Sequence, residues 1–263
     1  MNTMHHNGYT ASIEFDERDD IFVGRLLGVN ATVSFHAETV TGLRSAFEGA
    51  VAEFLRGEKP ARTTQLNPAD FGSLGDLHDR LLAETRDTAF PPGRRTQLAV
   101  ACFAIVRDHH FAIAISLDIG LTASAFALMR PLYEAAVKGM WLAHCARDSQ
   151  LEAYATGKEL PNVGDLVTRL LTKSELPPVV SAHMHHIRKK YWPVLSSLTH
   201  AGHAQLKRWV KPDGVGPAYT EDEIKELVNF TAFVAVATAL ERERLGQNEH
   251  SMTNIAALLP KED

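Results

Sequence analysis

The stretch from Tyr9 to Arg62 constrains the chain most, because its apolar spacing switches from a period of two to a helical period within one short run. Tyr9-Thr10-Ala11-Ser12-Ile13-Glu14-Phe15 alternates apolar and polar residues, as a half-buried strand does. An acidic turn, Asp16-Glu17-Arg18-Asp19-Asp20, follows, and Ile21-Phe22-Val23-Gly24-Arg25-Leu26 reads as the hairpin partner. Thr32-Val33-Ser34-Phe35-His36 reads as a third strand. Thr39 is placed to cap a helix whose Val40, Leu43, Phe47, Val51 and Phe54 form one stripe over one face of the sheet.

The net charge of −5 is concentrated here. Residues 1–60 carry nine acids and five bases, so the remainder stands near neutrality. An acidic module suits a basic protein partner and repels nucleic acid. The competing explanation is an ordinary solvated hairpin and helix surface.

Ile13-Glu14-Phe15-Asp16-Glu17, Ile21-Phe22-Val23-Gly24-Arg25, Ser34-Phe35-His36, Glu38-Thr39-Val40, Ala46-Phe47, Ala50-Val51 and Gly57-Glu58-Lys59-Pro60 resemble the HicB antitoxin family. The resemblance covers about a fifth of the chain. It implies a small partial ribonuclease-H-like module that binds and silences HicA, a small basic ribonuclease. Glu14, Asp16, Glu17, Asp19, Asp20 and Arg25 are then the expected partner-binding residues. Most HicB proteins continue into a DNA-binding module, which would make this chain a transcriptional autoregulator. Nothing after Pro60 reads as a short DNA-reading module, so the chain departs from the family there. Ribonuclease-H chemistry needs carboxylates converging from separate strands, whereas these cluster in one loop, so no metal site is expected.

Gly57 to Asn67 is a polar connector. We therefore expect a module over 1–60, a linker over 61–73 and an all-helical bundle over 74–263, an α+β chain overall. Helical spacing marks Leu74–Ala89, Thr96–Leu117, Thr122–Ala146, Gln150–Ala155, Val163–Leu171, Val179–Tyr191 and Glu221–Leu245, for seven or eight helices. Pro131 makes the third of these start late or kink. Phe111–Met129 holds Asp118 and is followed by Arg130, and Leu227–Leu240 is too short. Both read as bundle helices rather than membrane spans. Met1–Gly8 has no apolar core of a signal peptide. Cys102 and Cys145 read as core residues of a reducing compartment, and a cytoplasmic location is expected.

His110, Ala112-Ile113, Leu117 and Gly120-Leu121 begin a second set of motifs. It continues with Ser124-Ala125, Ala127-Leu128, Arg130-Pro131-Leu132-Tyr133-Glu134, Gly139 and Trp141-Leu142. It ends with Ser197, His200, Gly202, Gln205-Leu206, Arg208, Tyr219-Thr220 and Asp222-Glu223. This set is similar to a helical family of uncharacterised function over most of residues 74–259. That resemblance implies a helical domain and brings no activity.

Arg130 and Glu134 are four apart in an apolar helix, so they share a face and burying either alone is costly. They make an anion-binding pair in a ligand or active-site pocket with Ser197, His200 and His203, or a structural ion pair. His200-x-x-His203 has two ligands where zinc needs at least three, and Ser197 lacks a nucleophile elbow. HEPN ribonucleases use an Arg and a His four to six apart on one helix, and no such pair stands at a convincing site. Arg188-Lys189-Lys190-Tyr191-Trp192 and Lys207-Arg208-Trp209-Val210-Lys211 are short basic-aromatic runs that give nucleic acid weak support. The leading expectation is a non-enzymatic antitoxin-like interaction protein. It has no cofactor, a HicA-like or other basic protein partner, and a homo-oligomeric state.

Overall fold

The computed structural model describes residues 2–16, 21–29, 33–56, 73–172, 176, 178–211 and 214–259. The fold is α+β, in two compact units: Met1–Thr63 with His186–Val194, and Thr64–His185 with Leu195–Asp263.

In the first unit, β1 (Asn2–His6), β2 (Tyr9–Asp16), β3 (Ile21–Leu27) and β4 (Ser34–Ala37) form an antiparallel meander in the order β1-β2-β3-β4. Thr39 accepts from the Gly42 amide at 3.0 Å and opens α1 (Val40–Arg56). The helix lies on one sheet face, where Leu43, Phe47 and Val51 meet Ala11, Leu26 and Phe35. The Phe35 ring stacks on Phe47 at 5.1 Å and lies against the backbone of Gly24, where a Cβ would come within 2.2 Å of it. Two sequence expectations need correction. The sheet has four strands, not three, since β1 pairs with β2 from Asn2↔Ile13 to His6↔Tyr9. Val40 is 58 % exposed, because it begins the helix before the stripe reaches the sheet.

The second unit contains α2 (Leu74–Thr85), α3 (Arg94–Asp118), α4 (Thr122–Ala127), α5 (Met129–His144), α6 (Asp148–Ala155) and α7 (Val163–Leu171). Then come α8 (Pro178–Lys190), α9 (Trp192–Thr199), α10 (His203–Leu206), α11 (Glu221–Leu245) and α12 (Glu249–Ala256). Residues 186–194, from the end of α8 and the start of α9, group with the sheet rather than with this unit. Helices α3, α5 and α11 pack on one another, and Val106, Ile113, Leu132, Tyr133, Trp141, Phe230 and Phe233 are buried.

The region is not all helical. Val210–Lys211 (β5) pairs with Gly214–Val215 (β6), and eleven helices are described where seven or eight were expected. The expected Thr122–Ala146 helix is two helices that break at Leu128. Pro131 sits three residues into α5, where its missing N–H is harmless, and its ring forbids a continuous helix through the Ala127 carbonyl. Phe111–Met129 spans the end of α3 and all of α4 and so is no single helix. Among the described residues one helix, α3, is long and apolar enough to cross a membrane, and it packs against α2, α4, α5, α6 and α11. Cys102 is buried, Cys145 half-buried, and neither forms a disulfide.

Candidate functional site

On the sheet, side-chain alternation sends Ser12, Glu14 and Asp16 to the face opposite α1, with Val23 and Arg25 of β3 beside them. Glu14 is exposed, while Asp16 and Arg25 are half-buried. Glu17, Asp19 and Asp20 lie outside the described residues. His36 of β4 stands across from Val23 on the same face. Its imidazole is pushed down to about 4, first by burial and then by the Arg188 guanidinium. Arg188 also pairs with Glu38 at 3.3 Å. The β4 margin of this face is thus furnished from residues 186–194, and the Glu14 end stays open.

In the second unit, most of the helical motif residues bind one another. Arg130 Nε donates to Glu134 Oε1 at 2.7 Å, and Lys138 Nζ lies 3.8 Å from the other carboxylate oxygen. Glu134 is thereby held between two cations one helical turn away on either side. The carbonyl of Ala127, deprived of an amide by Pro131, accepts from Thr199 Oγ1 at 3.1 Å. Gln205 Nε2 donates to the Ala123 carbonyl at 2.9 Å. Together they fasten α9 and α10 to α4.

Ser197 is not poised as a nucleophile. Its Oγ accepts from the Ala204 amide at 2.9 Å, doing the work of an N-cap for α10 across a tight corner. Gly202 forms that corner, and a Cβ there would lie 2.6 Å from Ser197 Oγ. The same spacing explains the Ser197-x-x-His200-x-Gly202 pattern without chemistry. His200 falls in the turn after α9 and His203 begins α10, so the pair does not share a helix. Both are exposed, and neither shares a hydrogen bond with Arg130 or Glu134, which are largely buried. Their contacts give the five pocket residues three separate roles: Arg130 binds Glu134, Ser197 holds the start of α10, and His200 and His203 stand at the surface.

Arg208 and Trp209 of the second basic run are engaged in the same way, while Lys207 and Lys211 are exposed. Arg208 pairs with Glu223 at 2.7 Å and lies 5.8 Å over the Phe126 ring. Glu223 accepts from the Thr220 amide and closes the capping box of α11. Tyr219 stacks on Phe126 at 4.8 Å, donates to Gln205 Oε1 at 3.2 Å and accepts from Trp209 Nε1 at 3.3 Å. Burial raises the Tyr219 phenol, chiefly against the pull of the Trp209 hydrogen bond, so it stays a neutral donor.

Sequence reasoning missed the most buried charges. Glu241 and His144 are joined at 2.7 Å with almost no exposure, and Arg244 Nε reaches Glu241 Oε2 at 3.1 Å. Two residues on, Glu243 is fully buried and held by Thr88, Arg242 and Asn248. The available signal was Glu241-Arg242-Glu243-Arg244, an alternation of charge at the end of a helix that is apolar before it. Arg95 of α3 caps the far end of α5, donating to the Leu142 and Ala146 carbonyls at 2.9 and 2.7 Å. Among the described residues no group of three or more His, Cys, Asp or Glu is arranged to hold a metal ion.

A family of unknown function (DUF6988) matches residues 103–261, from within α3 to beyond α12. No curated protein and no solved structure matches the chain.

Proposed function

The chain belongs to DUF6988, a family of unknown function, and from the sheet unit outside that match we propose that it is an antitoxin-like interaction protein. Its docking site is the sheet unit and its helical unit is scaffold. In this reading the first unit is a HicB-type, partial ribonuclease-H-like module. Its occupant is a small basic ribonuclease of the HicA kind, met in the cytoplasm.

The observation that carries the reading is the sheet face opposite α1, which presents the Glu14 carboxylate openly beside that of Asp16. Two further facts favour docking over chemistry. Most polar motif residues of the helical unit are engaged in internal locks, and Ser197 caps α10. Charge steering of a basic partner raises the on-rate and fades as salt shortens the Debye length.

Calorimetric titration of the full chain with a small basic ribonuclease of the HicA type tests this. Binding at low salt that weakens with added salt is expected, and Glu14→Lys should weaken it roughly tenfold. Absence of binding at low salt, or an unchanged affinity for the variant, would overturn the reading.

A further inference from the structure

Helix α3 has two apolar faces, and the bundle covers one. Ala99, Cys102, Phe103, Val106, His110, Ile113 and Ala114 point into the core. On the other side Ala101, Ile105, Asp108, Ala112 and Ile115, with Ile119 just past the helix end, recur at intervals of three and four. That is the spacing of a coiled-coil seam. Ile105 is 48 % exposed, Ile115 43 % and Ile119 64 %, and only 39 % of the most apolar window of the helix is buried. Phe111 and Leu121, at 42 % and 53 %, flank the seam.

Lone exposed apolar residues need no explanation, but a contiguous stripe does. These five half-open side chains amount to on the order of 500 Å², the size at which a patch on a monomer is usually functional. From Ala101 to Ile119 the seam runs about 27 Å at 1.5 Å per residue. Pairing two copies would bury on the order of 1,000 Å², which reaches the threshold for a specific interface.

We propose that this seam is the interface of a two-fold dimer in which α3 of one copy packs antiparallel on α3 of another, centred midway between Asp108 and Ala112. The sequence is self-complementary about that point. Ile105 and Ile115 lie equally far from it, so Ile105 of each copy meets Ile115 of the other, Ala101 meets Ile119, and the small Ala112 packs beside Asp108 near the axis. The parallel alternative would set Asp108 against its own copy within an apolar seam, a like-charge contact that disfavours it. Antiparallel pairing places Asp108 opposite Ala112 and not opposite its own copy. The inference is independent of the docking role of the sheet.

Sedimentation equilibrium of the full chain at micromolar concentration should give twice 29.0 kDa. The double variant Ile115→Arg, Ile119→Arg should give 29.0 kDa with unchanged circular dichroism, since both residues stand outside the core. Orientation is read by cysteine pairing in a Cys145→Ser background. Mixing Ile105→Cys protein with Ile115→Cys protein should yield a cross-linked dimer, and each alone should yield none. Three results would overturn the proposal: a wild-type monomer at 100 µM, a dimer that survives the double Arg variant, or cross-linking of Ile105→Cys with itself. If the wild-type monomer instead partitions onto lipid vesicles through the same residues, the face belongs to a membrane and the dimer is equally excluded.

Discussion

At the scale of single residues, the helical unit illustrates how one proline writes a motif elsewhere in the chain. Pro131 withholds an amide from the Ala127 carbonyl, and the Thr199 hydroxyl supplies the missing donor from a helix some seventy residues on. Thr199→Val keeps shape and removes that donor. It should lower stability by about 1 kcal/mol, read as a fall of roughly 2–4 °C in the melting temperature. Buried imidazoles make a second prediction. His110 is pushed down to about 3 by burial and then by neighbouring His78, whose ring stacks 5.8 Å away. The unfolded chain protonates this group near 6.5 while the folded chain resists it. Its contribution is therefore complete above pH 6.5 and is lost as pH falls towards 3, by up to about 1.4 kcal/mol per pH unit. His36, held near 4, acts in the same direction in the other unit. Urea midpoints from pH 7 to pH 4 should fall steeply, and His110→Leu should flatten that slope.

Elements were legible where one face is apolar and the breakers are strong. Asn162 caps α7 and the segment Val163–Leu171 was read with the bounds the structure gives, because its stripe is uninterrupted. Glu221–Leu245 was equally plain, with Thr220 at its head. Strand β1 was not, since His5, His6 and Asn2 give it no apolar run and its pairing with β2 supplies what composition does not. Helices α9 and α10 were hidden because their ends are made by tertiary contacts, Thr199 to Ala127 and Ser197 to Ala204, rather than by local caps. The candidate site was legible as residue types and not as geometry. Spacing along the chain placed Arg130 beside Glu134 correctly, yet it could not tell that Ser197 caps a neighbour or that His200 and His203 face outward. The joint between α5 and α11 escaped for the same reason, being formed by His144, Glu241 and Arg244 across about a hundred residues. Removing the buried carboxylate deprives both His144 and Arg244 of their shared hydrogen-bond partner, so Glu241→Ala should cost roughly 3–5 kcal/mol. Differential scanning calorimetry would register it as a drop of order 10 °C in the transition of the helical unit.

For the whole molecule, charge and shape divide the work. Residues 1–60 carry the excess acid, which Arg62, Arg188, Lys189 and Lys190 balance within the first unit, so the negative charge there is local to the Glu14 side of a partly open sheet face; the second unit spends most of its polar motif residues on its own joints. Residues 186–194 belong with the sheet although they come from the helical part of the sequence. Experiments on the docking face therefore need the full chain and not a fragment ending near residue 60. The account predicts a protein that silences a partner's chemistry and has none of its own. The most direct measurement is RNA cleavage by a HicA-type ribonuclease with increasing amounts of full chain. Cleavage should stop near one equivalent and persist with the Glu14→Lys, Asp16→Lys variant. Undiminished cleavage at excess wild-type protein, under conditions where both are folded, would contradict it.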